Sequence, residues 1–147
     1  MARLLLVEDE EPLRRILARN LARRGYRVME AGSAAEAIGL LRAGGSFDAL
    51  LLDVNLPDQI GWNVLRALKA ANTDVPPVIV LTAVRPVRQR LDEFYPAAVL
   101  LKPFPVDALV RLVGRVTGSP LNISDTSAFY DGPGENRKNR EKQGDAV

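Results

Sequence analysis

The chain has 147 residues, of which 47% are hydrophobic and 26% are charged, and its formal net charge is only +2 at pH 7. This composition is typical of one globular domain with a substantial core, and so small a charge gives no indication of binding to nucleic acid or membrane. The absence of cysteine and histidine excludes a disulfide framework, a thiolate metal site and phosphohistidine chemistry on this chain.

The N-terminus does not have the pattern of a signal peptide. It carries one Arg and a four-residue apolar run that is followed directly by acids. No apolar run approaches the roughly 20 residues that a membrane-spanning helix needs. We therefore expect a cytoplasmic protein without a membrane partner.

Five short apolar runs predict β-strands. They cover Leu4–Val7, Tyr26–Glu30, Ala49–Leu52, Val78–Leu81 and Val99–Leu101. Three of them consist almost entirely of Leu, Val and Ile, as expected for parallel strands that are covered on both faces.

A helical pattern follows each strand. In the second helix, Ser33 and Glu36 have the spacing of a capping box, and Gly44–Gly45 ends the helix. The other helices are predicted over Leu13–Leu21, from Trp62 to Leu68, over Pro86–Phe94 and over Val106–Val116. Strand and helix alternate with short connections, which predicts an α/β fold with a parallel sheet and helices on both faces.

The chain changes character after Gly118. Residues 119–147 are mostly polar, with no sustained apolar period, so we expect a tail that is disordered or loosely docked, with Phe129 and Tyr130 as its only plausible anchors. No helix-turn-helix pattern is present, and no nucleic-acid-binding domain is expected. The predicted organisation is a folded domain over residues 1–118 and a polar tail over residues 119–147.

Polar side chains follow four of the predicted strands. They are Glu8–Asp9, Asp53 with Asn55, Thr82 and Lys102. Each one alone could be a turn, cap or exposed residue, and acids before Pro12 suit the first turn of a helix. Because parallel strands end at the same edge of a sheet, however, the carboxylates, hydroxyl and ammonium are expected together.

Carboxylates brought together in this way repel each other. At about 5 Å and an effective dielectric constant of 20, Asp9 and Asp53 would repel by roughly 3 kcal/mol unless a cation or Lys102 compensates. Oxygen ligands without His or Cys suit Mg²⁺. Beside a metal ion and an ammonium group, an aspartate can act as the nucleophile toward a phosphoryl group.

The motifs LLLVEDE, LLLDVNLPDQIGW, VIVLTA and LLKPF, in this order over residues 3 to about 117, resemble the receiver domain of two-component response regulators. The resemblance implies a flavodoxin-like, doubly wound five-stranded parallel sheet with strand order 2-1-3-4-5 and a cis peptide at Lys102–Pro103. It also implies a stand-alone phosphorylation switch with Mg²⁺ as cofactor. The expected phosphodonor is a sensor histidine kinase or a phosphotransfer protein, and the output is contact with an unidentified target protein.

The resemblance also implies a role for each site residue. Asp53 matches the phosphoacceptor and a metal ligand, Asp9 a direct Mg²⁺ ligand, and Glu8 a ligand that acts through water. Asn55 matches the residue whose backbone carbonyl completes the metal site. Thr82 and Lys102 match the switch hydroxyl and the lysine that pairs with the phosphoryl group. Such a chain catalyses its own phosphorylation and dephosphorylation without being an enzyme in the ordinary sense.

Some positions depart from the family pattern. Val99 stands where many receivers have Tyr or Phe, and Val84 is apolar where a polar side chain could orient water, which leads to the hypothesis of slow autodephosphorylation. Pro86 and Pro96 bracket the fourth helix, which is therefore expected to be short. A basic patch there (Arg85, Arg88 and Arg90) is either a solvated face or a dock for an acidic partner.

Two alternatives belong to other functional classes. One is a receiver-like docking module that works without phosphorylation, for which Val99 and the altered region of the fourth helix are the arguments. The other is a small aspartate-based phosphatase, which Asn55 disfavours because it stands where those enzymes carry their general acid.

Overall fold

The computed structural model describes residues 2–118 and 129–130. Strands and helices alternate along the chain with these bounds: β1 Arg3–Val7, α1 Glu11–Arg23, β2 Arg27–Ala31, α2 Ala34–Arg42, β3 Ala49–Asp53, α3 Trp62–Ala70, β4 Val78–Thr82, α4 Arg88–Phe94, β5 Ala98–Leu101, α5 Val106–Thr117 and β6 Phe129–Tyr130. Apart from β6, the predicted tail lies outside the described residues, and its disorder stays a prediction. Within the described ranges, no helix is long and apolar enough to cross a membrane.

The five parallel strands have the order β2-β1-β3-β4-β5, which confirms the predicted flavodoxin-like sheet. A sixth strand, β6, pairs antiparallel with β5, so that Tyr130 lies opposite Val99 and Phe129 opposite Leu100. Phe129 and Tyr130 are the residues named as plausible anchors, but the sequence did not predict a strand there, because a strand of two residues carries no periodic signal. β2 begins one residue later than predicted, since the Tyr26 N–H donates to the Leu21 carbonyl at the end of α1.

Alternate strand residues pack on opposite faces of the sheet. In β1, Leu4 and Leu6 belong to one hydrophobic cluster, Leu5 and Val7 to the other, and all four are fully buried. The first cluster includes side chains of α1 and α5, and the second includes side chains of α2 and α3. Burial of each Leu contributes about 1.5–3 kcal/mol, and cover on both faces explains why β1, β3 and β4 are almost continuously apolar, whereas β2, at the edge, is mostly exposed.

Local sequence signals begin and end the helices. At the start of α2, the Ser33 hydroxyl accepts the Glu36 N–H at 3.2 Å, as predicted, but the Glu36 carboxylate accepts the N–H of Gly32 at 3.1 Å, one residue before the cap. Gly118 ends α5 with φ of 79°, a left-handed conformation that favours glycine.

The helix α4 is short, as its flanking prolines predict. It has seven residues and no fully buried side chain. Phe94, at its end, packs on the second cluster and stacks on Trp62 with ring centroids 5.3 Å apart. Trp62 is accordingly a core residue, and α4 is held to the domain by this aromatic contact, by Leu91 on the same cluster and by the ion pair of Glu93 with Arg66.

Candidate functional site

The polar residues predicted for the site lie at the carboxyl edge of the parallel sheet. Glu8 and Asp9 follow β1, Asp53 ends β3, Thr82 ends β4 and Lys102 follows β5. Strand topology alone brings them there, because β1 and β3 are neighbours and β4 and β5 continue the sheet on the same side. Glu8, Asp53 and Thr82 are nearly inaccessible to solvent, with exposures of 0%, 2% and 4%.

Lys102 joins the two buried carboxylates. Its Nζ donates to Oε1 and Oε2 of Glu8 at 2.9 and 3.1 Å and to Oδ2 of Asp53 at 3.4 Å. A buried carboxylate without a partner would be strongly destabilising, so the ammonium supplies one of the two kinds of compensation, a cation or Lys102, that the sequence left open. The peptide bond between Lys102 and Pro103 is cis, as expected.

Burial and charge shift the pKa values of this cluster in a consistent way. Removal from solvent and the neighbouring Asp53 carboxylate raise the pKa of Glu8 to about 8, although Lys102 opposes the shift. Burial lowers the pKa of Lys102, but the hydrogen bond and negative charge of Glu8, together with those of Asp53, outweigh burial and raise it. The cluster therefore has more negative potential than one ammonium group neutralises.

Carboxylate oxygens of Glu8, Asp9 and Asp53 lie within 4.8 Å of one another. Glu8 and Asp53 are buried and Asp9 is exposed, so the cluster opens to solvent on one side. Three oxygen donors with excess negative charge fit a hard divalent cation such as Mg²⁺, which keeps part of its water shell. The residues present therefore fit the metal implied by the sequence.

The loop from Val54 to Gly61 positions Asp53 and Asn55. The Asn55 N–H donates to Oδ1 of Asp53 at 3.0 Å, and the Gly61 N–H donates to the Val54 carbonyl at 2.6 Å. A Cβ at Gly61 would lie 2.3 Å from the Asp53 carbonyl oxygen, which requires glycine there. Asn55 is exposed, beside the acidic cluster.

The Thr82 hydroxyl is bonded away from Asp53. It donates to the Val84 carbonyl at 2.8 Å and accepts the Val84 N–H at 3.1 Å. Both bonds hold the first turn of the β4–α4 loop against the end of β4. The structure thus brings Thr82 to the edge of the site with its hydroxyl engaged by the loop backbone.

Two contacts around the site were not anticipated from the sequence. The Asp58 carboxylate accepts the N–H groups of Ala34 and Ala35 at 3.0 Å each, which ties the β3–α3 loop to the start of α2. The N–H of Ala34, followed by the other backbone donors, lowers the pKa of Asp58. Arg14 donates to the backbone carbonyl of Glu8 at 2.9 Å. Neither contact has a local sequence signal, because each partner is brought in by tertiary structure.

The model for the response regulator receiver domain matches residues 4–114 of this chain. The chain belongs to the response regulator receiver family. Among relatives of this receiver, the transcriptional regulatory protein CusR of Escherichia coli is 34% identical over 116 residues, which are 78% of this chain and 49% of CusR. The uncharacterized transcriptional regulatory protein YkoG of Bacillus subtilis is 33% identical and is matched over 97% of this chain and 64% of YkoG.

Solved structures show the same fold. The non-phosphorylated receiver domain of HemR from Leptospira biflexa is 32% identical to this chain and has a TM-score of 0.71. The match covers 86% of this chain and 100% of the HemR chain. Chemotaxis protein CheY4 of Vibrio cholerae has a TM-score of 0.71 at 27% identity and covers 79% of this chain and 98% of its own. The receiver chain spans about half the length of CusR, so the activity of whole regulators does not transfer to it directly.

Proposed function

We propose that this receiver domain is a phosphorylation-dependent switch in which Asp53 accepts a phosphoryl group from the phosphohistidine of a sensor histidine kinase or phosphotransfer protein. The observation that carries the proposal is the position of the Asp53 carboxylate. It lies at the carboxyl edge of the sheet, 3.4 Å from the Lys102 ammonium and within the acidic cluster of Glu8 and Asp9. A nucleophile, a cation and a candidate metal site thus meet at one point.

We propose the ligands of the metal from the same group of residues. Asp9 and Asp53 would hold Mg²⁺ directly, Glu8 through water, and Asn55 through its backbone carbonyl. When bound there, Mg²⁺ supplies a Lewis acid that neutralises charge on the phosphoryl oxygens. Lys102, whose Nζ lies 3.4 Å from Oδ2 of Asp53, would contribute a second positive charge and exchange part of its contact with Glu8 for the phosphoryl group.

Phosphorylation is a simple displacement at phosphorus. An Asp53 carboxylate oxygen forms the new P–O bond as the P–N bond to the donor imidazole breaks, and the electron pair of that bond returns to the ring. Resetting occurs when water adds to phosphorus and the P–O bond to Asp53 breaks, which restores the carboxylate and releases inorganic phosphate. The chain therefore contributes the catalytic groups for both of its own reactions.

The output begins at Thr82. In the phosphorylated protein its hydroxyl donates to a phosphoryl oxygen and leaves the Val84 carbonyl, which releases the first turn of the β4–α4 loop. Val84 and Val87 in this loop are 73% and 63% exposed, so a change in loop position alters an apolar surface. We assign the output to contact of this surface with a downstream protein in the cytoplasm.

Intact mass spectrometry after incubation with acetyl phosphate tests the proposal. We expect a gain of one phosphoryl group that requires Mg²⁺, is abolished by EDTA and is absent from Asp53→Ala. Asp74→Ala is the matched control, because Asp74 precedes β4 at the opposite edge of the sheet, and this variant should keep the adduct. Failure of the folded wild-type chain to form an adduct in Mg²⁺ would contradict the proposal and favour a module that docks without phosphorylation.

A further inference from the structure

Arg14, in the first turn of α1, contacts the backbone of Glu8, which precedes Asp9 in the acidic cluster. Its Nη1–H donates to the Glu8 carbonyl oxygen at 2.9 Å, and its Nε–H donates to Oε1 of Glu30 in β2 at 3.1 Å. The side chain is only 18% exposed. The guanidinium therefore bridges α1, the end of β1 and the end of β2, beside the site but without contact to its carboxylates.

These bonds hold the backbone of Glu8 on both sides. The Glu8 N–H donates to the Ala31 carbonyl at 3.1 Å, and the Glu8 carbonyl accepts from Arg14. That carbonyl and the Asp9 N–H belong to one rigid peptide plane. The orientation of this plane sets the direction in which the Asp9 side chain leaves the backbone, so the contact with Arg14 helps to aim the Asp9 carboxylate.

The space for the guanidinium depends on Gly32. A Cβ at this position would lie 3.0 Å from Nη1 of Arg14, closer than side-chain contacts normally allow. The φ of Gly32 is not positive, so the backbone does not itself require glycine. The absence of a side chain at Gly32 thus leaves room for Arg14 to reach the Glu8 carbonyl without a shift of its guanidinium.

We propose that Arg14 is a positioning residue for the divalent cation, acting through the Glu8–Asp9 peptide; this inference rests on the proposed function, in which the acidic cluster binds Mg²⁺. The forked guanidinium suits the task because it contacts Glu8 and Glu30 at once, whereas a Lys at this position could satisfy only one of them.

The sign of the effect separates positioning from simple electrostatics. A positive charge close to a cation site repels the cation, so removal of the charge should tighten Mg²⁺ binding if charge alone matters. If Arg14 positions Asp9, its removal should weaken binding, and loss of such supporting contacts typically lowers metal affinity by about 10-fold or more.

Isothermal titration calorimetry of the full chain with MgCl₂ tests the inference. We expect Arg14→Met to raise the Kd for Mg²⁺ by about 10-fold and Arg14→Lys to have an intermediate Kd. Gly32→Ala, which keeps Arg14 but displaces its guanidinium, should weaken binding in the same direction. Arg15→Met is the matched control, because Arg15 is 68% exposed and pairs with Glu11 on the helix surface, and its Kd should equal that of the wild type.

Two results would overturn the inference, and they are distinguishable. A wild-type chain that binds Mg²⁺ together with an Arg14→Met variant whose Kd is unchanged or lower would refute the positioning role alone. A folded wild-type chain that binds no Mg²⁺ would refute the proposed metal site and, with it, the inference. Thermal unfolding in EDTA establishes that each variant is folded, and if Arg14→Met is not, Gly32→Ala decides by the same criterion.

Discussion

At the scale of single residues, the site places two carboxylates, which repel each other, beside one ammonium group. Glu8 is fully buried and lies beside Asp53, and a single ammonium, that of Lys102, contacts both carboxylates. Burial and the neighbouring carboxylate together raise the pKa of Glu8 to about 8. The site thus favours added positive charge, either as a proton on Glu8 or as a bound cation.

The raised pKa of Glu8 predicts how stability depends on pH. Between its ordinary pKa of 4.5 and about 8, the folded protein retains a proton that the unfolded chain releases. The stabilisation is fully present below about 4.5 and is lost as pH rises through about 8, with a total change on the order of a few kcal/mol in the free energy of unfolding. Urea unfolding in EDTA from pH 5 to 8 should show this decline in the wild type and a flatter profile in Glu8→Gln. Identical profiles would contradict the assignment.

The second prediction for a single residue is that Val84 slows hydrolysis of the acyl phosphate. Its backbone carbonyl accepts from the Thr82 hydroxyl, and its side chain is apolar and exposed, so the side chain offers no group to orient an attacking water. We expect the acyl phosphate of the wild type to have a lifetime much longer than seconds. The Val84→Asn variant should lose its phosphoryl group roughly tenfold faster, which corresponds to an activation barrier lower by about 1.4 kcal/mol. Loss of the adduct is followed by intact mass. Val87→Asn, in the same loop, serves as control and should match the wild type.

At the scale of elements, the β3–α3 loop is the most constrained part of the site. It is closed by the bond from the Gly61 N–H to the Val54 carbonyl and by an antiparallel bridge between Asn55 and Ile60. Asp58 then ties its outer side to the first N–H groups of α2, where the helix dipole also favours a carboxylate. The loop that carries the Asn55 carbonyl, a proposed metal ligand, is therefore attached at both ends and in the middle.

Gly61→Ala tests this constraint. The added Cβ would lie 2.3 Å from the Asp53 carbonyl oxygen and 2.8 Å from the Val54 Cα, both backbone atoms that cannot move aside independently. We expect a loss of about 2–4 kcal/mol in urea unfolding and slower phosphorylation by acetyl phosphate.

Gly39→Ala provides the comparison for that variant. Gly39 lies in α2, and an added Cβ would meet no atom within 4 Å, so helix propensity alone should stabilise the protein by about 0.5–1 kcal/mol. Wild-type stability and phosphorylation in Gly61→Ala would show that the loop adapts, contrary to the proposed constraint.

At the scale of the whole molecule, the sequence predicted the features that depend on the hydrophobic pattern of the strands and on the topology of the sheet. Continuous apolar strands indicated a sheet covered on both faces, and the order of parallel strands placed Asp53 and Lys102 at one edge. Contacts such as Arg14 with Glu8, or Asp58 with α2 across 24 residues, depend on loop paths that no local pattern encodes. The strand β6 was likewise unpredictable from two residues.

The strand β6 leads to the last prediction, which concerns the limits of the folding unit. Both hydrophobic clusters, as described, are built from residues 2–116, and β6 pairs with the edge of β5 through two residue pairs. A chain ending at Gly118 should therefore unfold in one cooperative transition, with the free energy of unfolding reduced by no more than about 2 kcal/mol, the worth of a few edge hydrogen bonds.

Calorimetry of the truncated and full-length chains measures this difference in the free energy of unfolding. Phosphorylation by acetyl phosphate should proceed equally in both chains, because the site lies at the carboxyl edge of the five parallel strands. Removal of β6 also leaves the backbone groups of β5 unpaired, and unpaired edges favour association with another chain. Calorimetry is therefore performed at several protein concentrations. A broad transition, or a loss of stability well beyond edge pairing at every concentration, would show that residues after Gly118 belong to the folding unit.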